Sequence, residues 1–154
     1  MTAEDLWKEY ARKAGITHME YEAWAFGDAA DELAALTARG IKTATSSAFP
    51  LYEAEREPLP EAGEYSVILD SREQAVCVIR TERVCLTPFR EVGEEQARRE
   101  GEGDRSLIYW REVHERFFRQ EMEEAGMRFD WDMPVVCEEF TCVYVSPDAR
   151  EELT

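Results

Sequence analysis

Residues 65 to 86 constrain the fold more than any other part of the sequence. Tyr65-Ser66-Val67-Ile68-Leu69 is a short apolar run, followed by the turn residues Asp70-Ser71-Arg72. Ala75-Val76-Cys77-Val78-Ile79 then resumes the pattern through Thr81, Arg83 and Cys85 to Leu86. Apolar and β-branched residues around a short polar turn predict a hairpin. A further strand is expected over Val135 to Val145, where Phe140, Cys142 and Tyr144 alternate with Thr141, Val143 and Val145. Helical spacing marks residues 91–99 and 106–124 between them. Toward the amino end it marks 3–14, stopped by Gly15, and 28–39, where Asp28 is the expected cap and Gly40 the end. The polar, proline-bearing stretch from Tyr52 to Gly63 reads as a loop. Strands and helices that do not alternate strictly predict an α+β domain, its sheet strongly curved or closed into a small β-barrel with flanking helices.

With 154 residues the chain has the length of one domain with a real core. Its 18 Lys and Arg against 34 Asp and Glu leave a net charge of −16. That balance opposes tight binding of a polyanion, because affinity for nucleic acid comes largely from cations that neutralise phosphates. A small, uncharged ligand is easier to reconcile with it. Met1-Thr2-Ala3-Glu4-Asp5 is acidic and is followed by no long apolar run, so a cytoplasmic protein without a membrane partner is expected. Cys77, Cys85, Cys137 and Cys142 form no Cys-x-x-Cys pair and sit in or beside apolar runs. They read as reduced core thiols, with neither a metal nor a cofactor expected.

Four stretches can carry chemistry. In "GIKTATSS" (40–47) Lys42 stands three residues before Thr45. An amine beside a hydroxyl can act as its general base. In a regular strand, however, positions 42 and 45 point to opposite faces, so the pair requires a turn after Gly40. Otherwise Lys42 is a solvated lysine at a helix end. In "EQARREGEGDRSL" (95–107) Glu100, Glu102 and Asp104 alternate with Gly101 and Gly103. The glycines let the backbone bend so that carboxylates can be aimed into a pocket; Asp104 is also a candidate to cap the next helix. That helix carries Leu107, Trp110, His114, Phe117, Phe118 and Met122 on one stripe. The stripe is a core face on which Trp110 and His114 can either pack internally or line a pocket and hold a planar base. "YEAWAFGD" (21–28) gathers Tyr21, Trp24 and Phe26, which either staple a helix start to the core or stack on a base.

Taken in order, "WAFGD", "LAALTARGIKTAT", "LPEAGEYSVILD", "VCVIRTERV", "PFREVGEEQARREGEGDRSLIYWREVHERFF" and "FTCVYV" resemble the ASCH domain family, whose fold is related to PUA domains. The resemblance runs from about Trp24 to Tyr144, with the helix over 3–14 packed on it in one domain spanning 1–154. "EGEGDRSL" with Trp110 and His114 downstream looks like the longer-chain branch. It implies a PUA-like barrel with a cleft for a nucleoside or a segment of single-stranded RNA. Short-chain members include amidohydrolases that deacylate N(4)-acetylcytidine with a Lys, a Thr three residues later, and a Glu beyond the central strands. That pattern falls on Lys42, Thr45 and Glu100 here, with Glu102 competing for the carboxylate role. The implied reaction has Lys42 take the Thr45 proton, Thr45 attack the acyl carbonyl, and Glu100 serve the departing amine. Trp24, Phe26, Arg80, Glu102, Asp104, Trp110 and His114 are the expected substrate contacts. Other members are associated with ribonuclease activity or with RNA binding alone. In the binding reading Lys42, Arg80 and Arg83 meet phosphate; in the ribonuclease reading His114 is an acid or base.

Overall fold

The computed structural model describes residues 1–17 and 20–152. Helix α1 (Ala3–Ala14) starts in a capping box between Thr2 and Asp5 and ends at Gly15 in the left-handed conformation. Strand β1 (Tyr21–Ala25), helix α2 (Ala30–Ala38), strand β2 (Ala44–Ala48) and helix α3 (Phe49–Glu55) follow. The hairpin forms as expected from β3 (Tyr65–Leu69) and β4 (Ala75–Pro88). A 3-10 turn at Phe89–Glu91, helices α4 (Glu94–Glu100) and α5 (Leu107–Glu124), strand β5 (Pro134–Val145) and helix α6 (Pro147–Glu152) complete the chain.

The five strands make one sheet in the order β1-β3-β4-β5-β2, parallel only between β1 and β3. It curls into a half-barrel with helices around it, an α+β fold as the sequence implied. Strand β4 is its spine, paired along one edge with β3 and along the other with β5, with register shifts at Val78/Ile79 and Thr81/Arg83. Such irregularities bend a strand and increase its twist.

Alternation along the strands builds the core. Val67 and Val78 receive Leu6, Trp7 and Tyr10 of α1. Ile68, Cys77, Ile79 and Phe140 pack with Phe26 and Ala34 of the α2 side. Beyond the bend, Val135 and Cys137 meet Trp110, Phe118 and Met122 of α5 and the fully buried Phe89. Each large apolar side chain so buried contributes about 1.5–3 kcal/mol. All four cysteines are free, and burial pushes the Cys137 thiol up to about 12.

Three local expectations need correction. Asp28 does not cap α2: the cap position is Ala29, at φ 46°, and it makes no side-chain cap bond. "YEAWA" is a strand, because its backbone is taken up by the parallel ladder with β3 before any helix begins. Helix α3 occupies the start of the expected loop, led in by Pro50 near its first position, where a missing N–H costs nothing.

Candidate functional site

The turn after α2 decides where Lys42 goes. Gly40 is left-handed at φ 76°, and both Ile41 N and Lys42 N donate to the Leu36 carbonyl. Thr43 N then donates to Arg99 O at 2.7 Å, and Phe140 N to Thr43 O, tying this turn to the end of α4 and to β5. Lys42 therefore lies ahead of the strand instead of within it. Its side chain is only 1% exposed, so it is not a solvated helix-end lysine.

The Lys42 amine meets Glu100 Oε1 at 3.3 Å and Glu102 Oε2 at 2.8 Å. Gly101 lets both carboxylates reach it. Glu100 ends α4, Gly101 turns the chain at φ 70°, and Glu102 comes back toward the amine. A Cβ on Gly101 would lie 2.6 Å from the Ile41 carbonyl oxygen, so the close approach of the two turns also requires glycine.

Glu100 is the hub of a sealed polar cluster. Trp110 Nε1 donates to its Oε2 at 2.6 Å, Gln96 Nε2 donates to the same oxygen at 3.1 Å, and His114 Nε2 lies 3.3 Å from Oε1. Burial by itself raises this carboxyl, but Lys42, His114 and the Trp110 bond outweigh it and hold Glu100 far below the usual carboxylate range. For His114 burial lowers the imidazole and Glu100 more than offsets it, leaving it raised. The His114 ring stacks on Trp110 with centroids 4.3 Å apart, and its Nδ1 donates to the Trp110 carbonyl at 2.9 Å. Glu100, Glu102 and His114 offer ligand atoms within 4.8 Å of one another, spacing suited to a cation. The Lys42 ammonium already takes that place.

Phe26 separates this cluster from a cleft of about 800 Å³. Lys42 Nζ lies over the Phe26 ring, 5.2 Å from its centroid, and the same residue lines the cleft. Trp24, Tyr52, Tyr65 and Phe117 supply further aromatic wall. Thr45 and Glu138, direct partners in the β2–β5 ladder, stand side by side in it. Thr81 Oγ1 donates to Glu138 Oε2 at 2.6 Å, and Ser47 and Tyr52 hydroxyls share a 2.9 Å bond. Glu22, Glu57, Glu64 and Glu121 also line the cleft, and among the described residues no Lys, Arg or His lines it.

Comparison with known sequences completes the picture. The ASCH domain sequence model matches residues 22–144. The chain belongs to the ASCH domain family. A solved structure from Enterococcus faecalis V583, described under the family model DUF984, is 36% identical with a TM-score of 0.87, covering 96% of this chain and 91% of its own. An ASCH domain from Lactobacillus crispatus JV V101 is 32% identical with a TM-score of 0.85, covering 92% and 93%. Comparison with curated proteins found no match. No helix among the described residues is long and apolar enough to cross a membrane.

This ASCH domain brings together Lys42, Glu100, Glu102, Trp110 and His114, with Phe26 over the amine. Thr45 and Trp24 belong to the cleft instead. Among the described residues no hydrogen bond joins Lys42 Nζ to Thr45, but Gln96 Nε2 links the two regions by donating to Thr45 O at 3.2 Å as well as to Glu100. Arg80 stands apart, ion-paired with Glu82 at 2.7 Å in solvent. Asp104 is exposed and accepts from Ser106 N; the α5 cap is Ser106, whose hydroxyl accepts from Tyr109 N. Sequence reasoning missed Glu138, Thr81, Tyr52 and Gln96. For Glu138 a signal existed: it shares strand parity with the buried Val136 and Phe140.

Proposed function

We propose that this ASCH domain hydrolyses the amide of a small acylated nucleoside such as N(4)-acetylcytidine. The observation that carries the reading is the placement of Thr45: a half-buried residue in an aromatic-walled cleft whose volume suits a small ligand, its main-chain carbonyl tethered through Gln96 to Glu100. Aromatic faces offer a base stacking worth about 1–3 kcal/mol. The cleft's carboxylates repel a phosphodiester chain, which favours a neutral nucleoside over RNA. Family kinship alone supports the RNA-binding and ribonuclease alternatives.

In this reading Thr45 Oγ bonds the acyl carbon, the exocyclic nitrogen departs, and water then releases the acid from the threonine ester. Lys42 takes the Thr45 proton once its ammonium has left a proton of its own on the Glu102 carboxylate as the pair opens. To reach it, the amine leaves a carboxylate and turns past Phe26, so the sealed arrangement is a resting state. Glu100 holds Lys42 and, with His114, stores the charge that its movement exposes.

The test is release of cytidine from N(4)-acetylcytidine by the purified protein, with Thr45→Ala in parallel. Wild type should turn over, and the variant should fall by more than about 100-fold. Turnover unaffected in Thr45→Ala, or none in wild type with any N(4)-acylcytidine, overturns the reading.

A further inference from the structure

Glu138 has no part in that scheme, yet it is the most deeply placed ionisable group of the cleft. Its side chain is 8% exposed, and Thr81 fixes Oε2. Among the described residues the carboxyl's one hydrogen bond is that from Thr81 to Oε2, which leaves Oε1 without a partner from the chain in a residue that lines the cleft. A carboxyl oxygen that the chain leaves without a partner in the wall of a ligand-sized cleft is available to meet a ligand in place of water. The geometry points to Glu138 as the residue that recognises the leaving base: Oε1 bonds the ring nitrogen beside the acylated amine and hands it a proton as the amide breaks.

The register sets the substrate class. Thr45 and Glu138 are directly opposite on one face, so their side chains start about 4.5–5.5 Å apart. A ligand that meets both must present an acyl group and a proton-accepting ring nitrogen as close neighbours. An N-acylated aminoheterocycle does so, because the exocyclic nitrogen and the ring nitrogen share one carbon. An acylated aliphatic amine has no such acceptor. Burial raises the Glu138 carboxyl; the Thr81 bond acts against this, and Glu64 and Glu22 add to it, a shift in the direction that donation requires.

The Thr45 Oγ–acyl bond forms and the acyl–nitrogen bond breaks. Its electron pair moves into the ring, the Glu138 proton lands on the ring nitrogen, and the base leaves as its neutral imino tautomer. The Thr45 proton passes to Lys42; water later splits the ester into the free acid and the Thr45 hydroxyl, and the proton taken up from Thr45 returns to Glu138.

The inference rests on the hydrolase reading, but a binding measurement separates the two. Calorimetric titration compares cytidine with 3-deazacytidine, in which the ring nitrogen is a C–H. Wild type should prefer cytidine by about tenfold, the worth of one such bond. Glu138→Leu should lose that preference. Glu138→Gln should keep it, since its amide N–H still donates, while N(4)-acetylcytidine turnover falls about 100-fold. Equal affinity of wild type for both ligands, no cytidine binding, or a preference that survives in Glu138→Leu overturns the role of Glu138. If Glu138→Leu does not fold, the wild-type comparison and Glu138→Gln turnover decide. A preference lost in Glu138→Leu without any turnover keeps the recognition and removes both the hydrolysis and the proton transfer. Turnover without a preference keeps the hydrolysis and removes the role of Glu138.

Discussion

The sealed cluster behind Phe26 and the cleft in front of it handle charge in opposite ways. Behind Phe26, Lys42 and His114 face Glu100 and Glu102, so buried charges are paired and the central carboxyl is pulled far down. In front of it, carboxylates accumulate with no cationic side chain lining the cleft among the described residues, and Glu138 is pushed up. The first arrangement holds two turns and two helices together. The second leaves a surface whose charge is unanswered until a ligand arrives.

The contrast is sharpest under substitution. Lys42→Met strips both carboxylates of their cation and should cost about 3–5 kcal/mol, the usual result of leaving a buried charge unpaired. Urea unfolding checks this, and a loss below 1 kcal/mol breaks the contrast. Trp110→Phe removes the 2.6 Å bond to Glu100 and should cost about 1.5–3 kcal/mol by the same measurement, as for hydrogen bonds to charged groups. Thr45→Val, on the cleft side, should stay within about 0.5 kcal/mol of wild type while abolishing the proposed turnover.

Acidity separates the regions by sign. A depressed Glu100 contributes stability that is present above the ordinary carboxylate value of about 4.3 and lost as pH falls through its folded value. A raised Glu138 contributes stability present below that ordinary value and lost as pH rises through its own folded value. Glu100→Gln should therefore flatten the acid limb of a stability profile. Glu138→Gln should remove the decline from weak acid toward neutrality. Identical profiles for the two variants would show that the regions do not differ as described.

The hairpin and β5 were legible because β-branched and apolar runs have few alternatives to a sheet. Strand β1 was not: five residues with three aromatic or charged side chains do not alternate clearly, and the ladder that makes them a strand comes from β3, some 40 positions on. Lys42 and Glu100 meet across 58 positions, a distance that no local pattern spans. The resemblance to the family supplied that pairing, whereas the turn at Gly101 that adds Glu102 was visible as a glycine between two acids. Glu138 was hidden in plain view, since "EEF" reads as surface charge on an outgoing strand. Only the bend of the sheet, which carries Thr81 over it, makes the residue part of a cavity.

Gln96 has one orientation open to it. Both of its neighbours, the Thr45 carbonyl and the Glu100 carboxylate, can only accept, so one nitrogen serves both and the amide oxygen must turn away. A carboxylate in its place would be repelled twice over. The strand bearing the hydroxyl and the helix bearing the acid thus share a hinge pin, and neither can slide along the other without first breaking it.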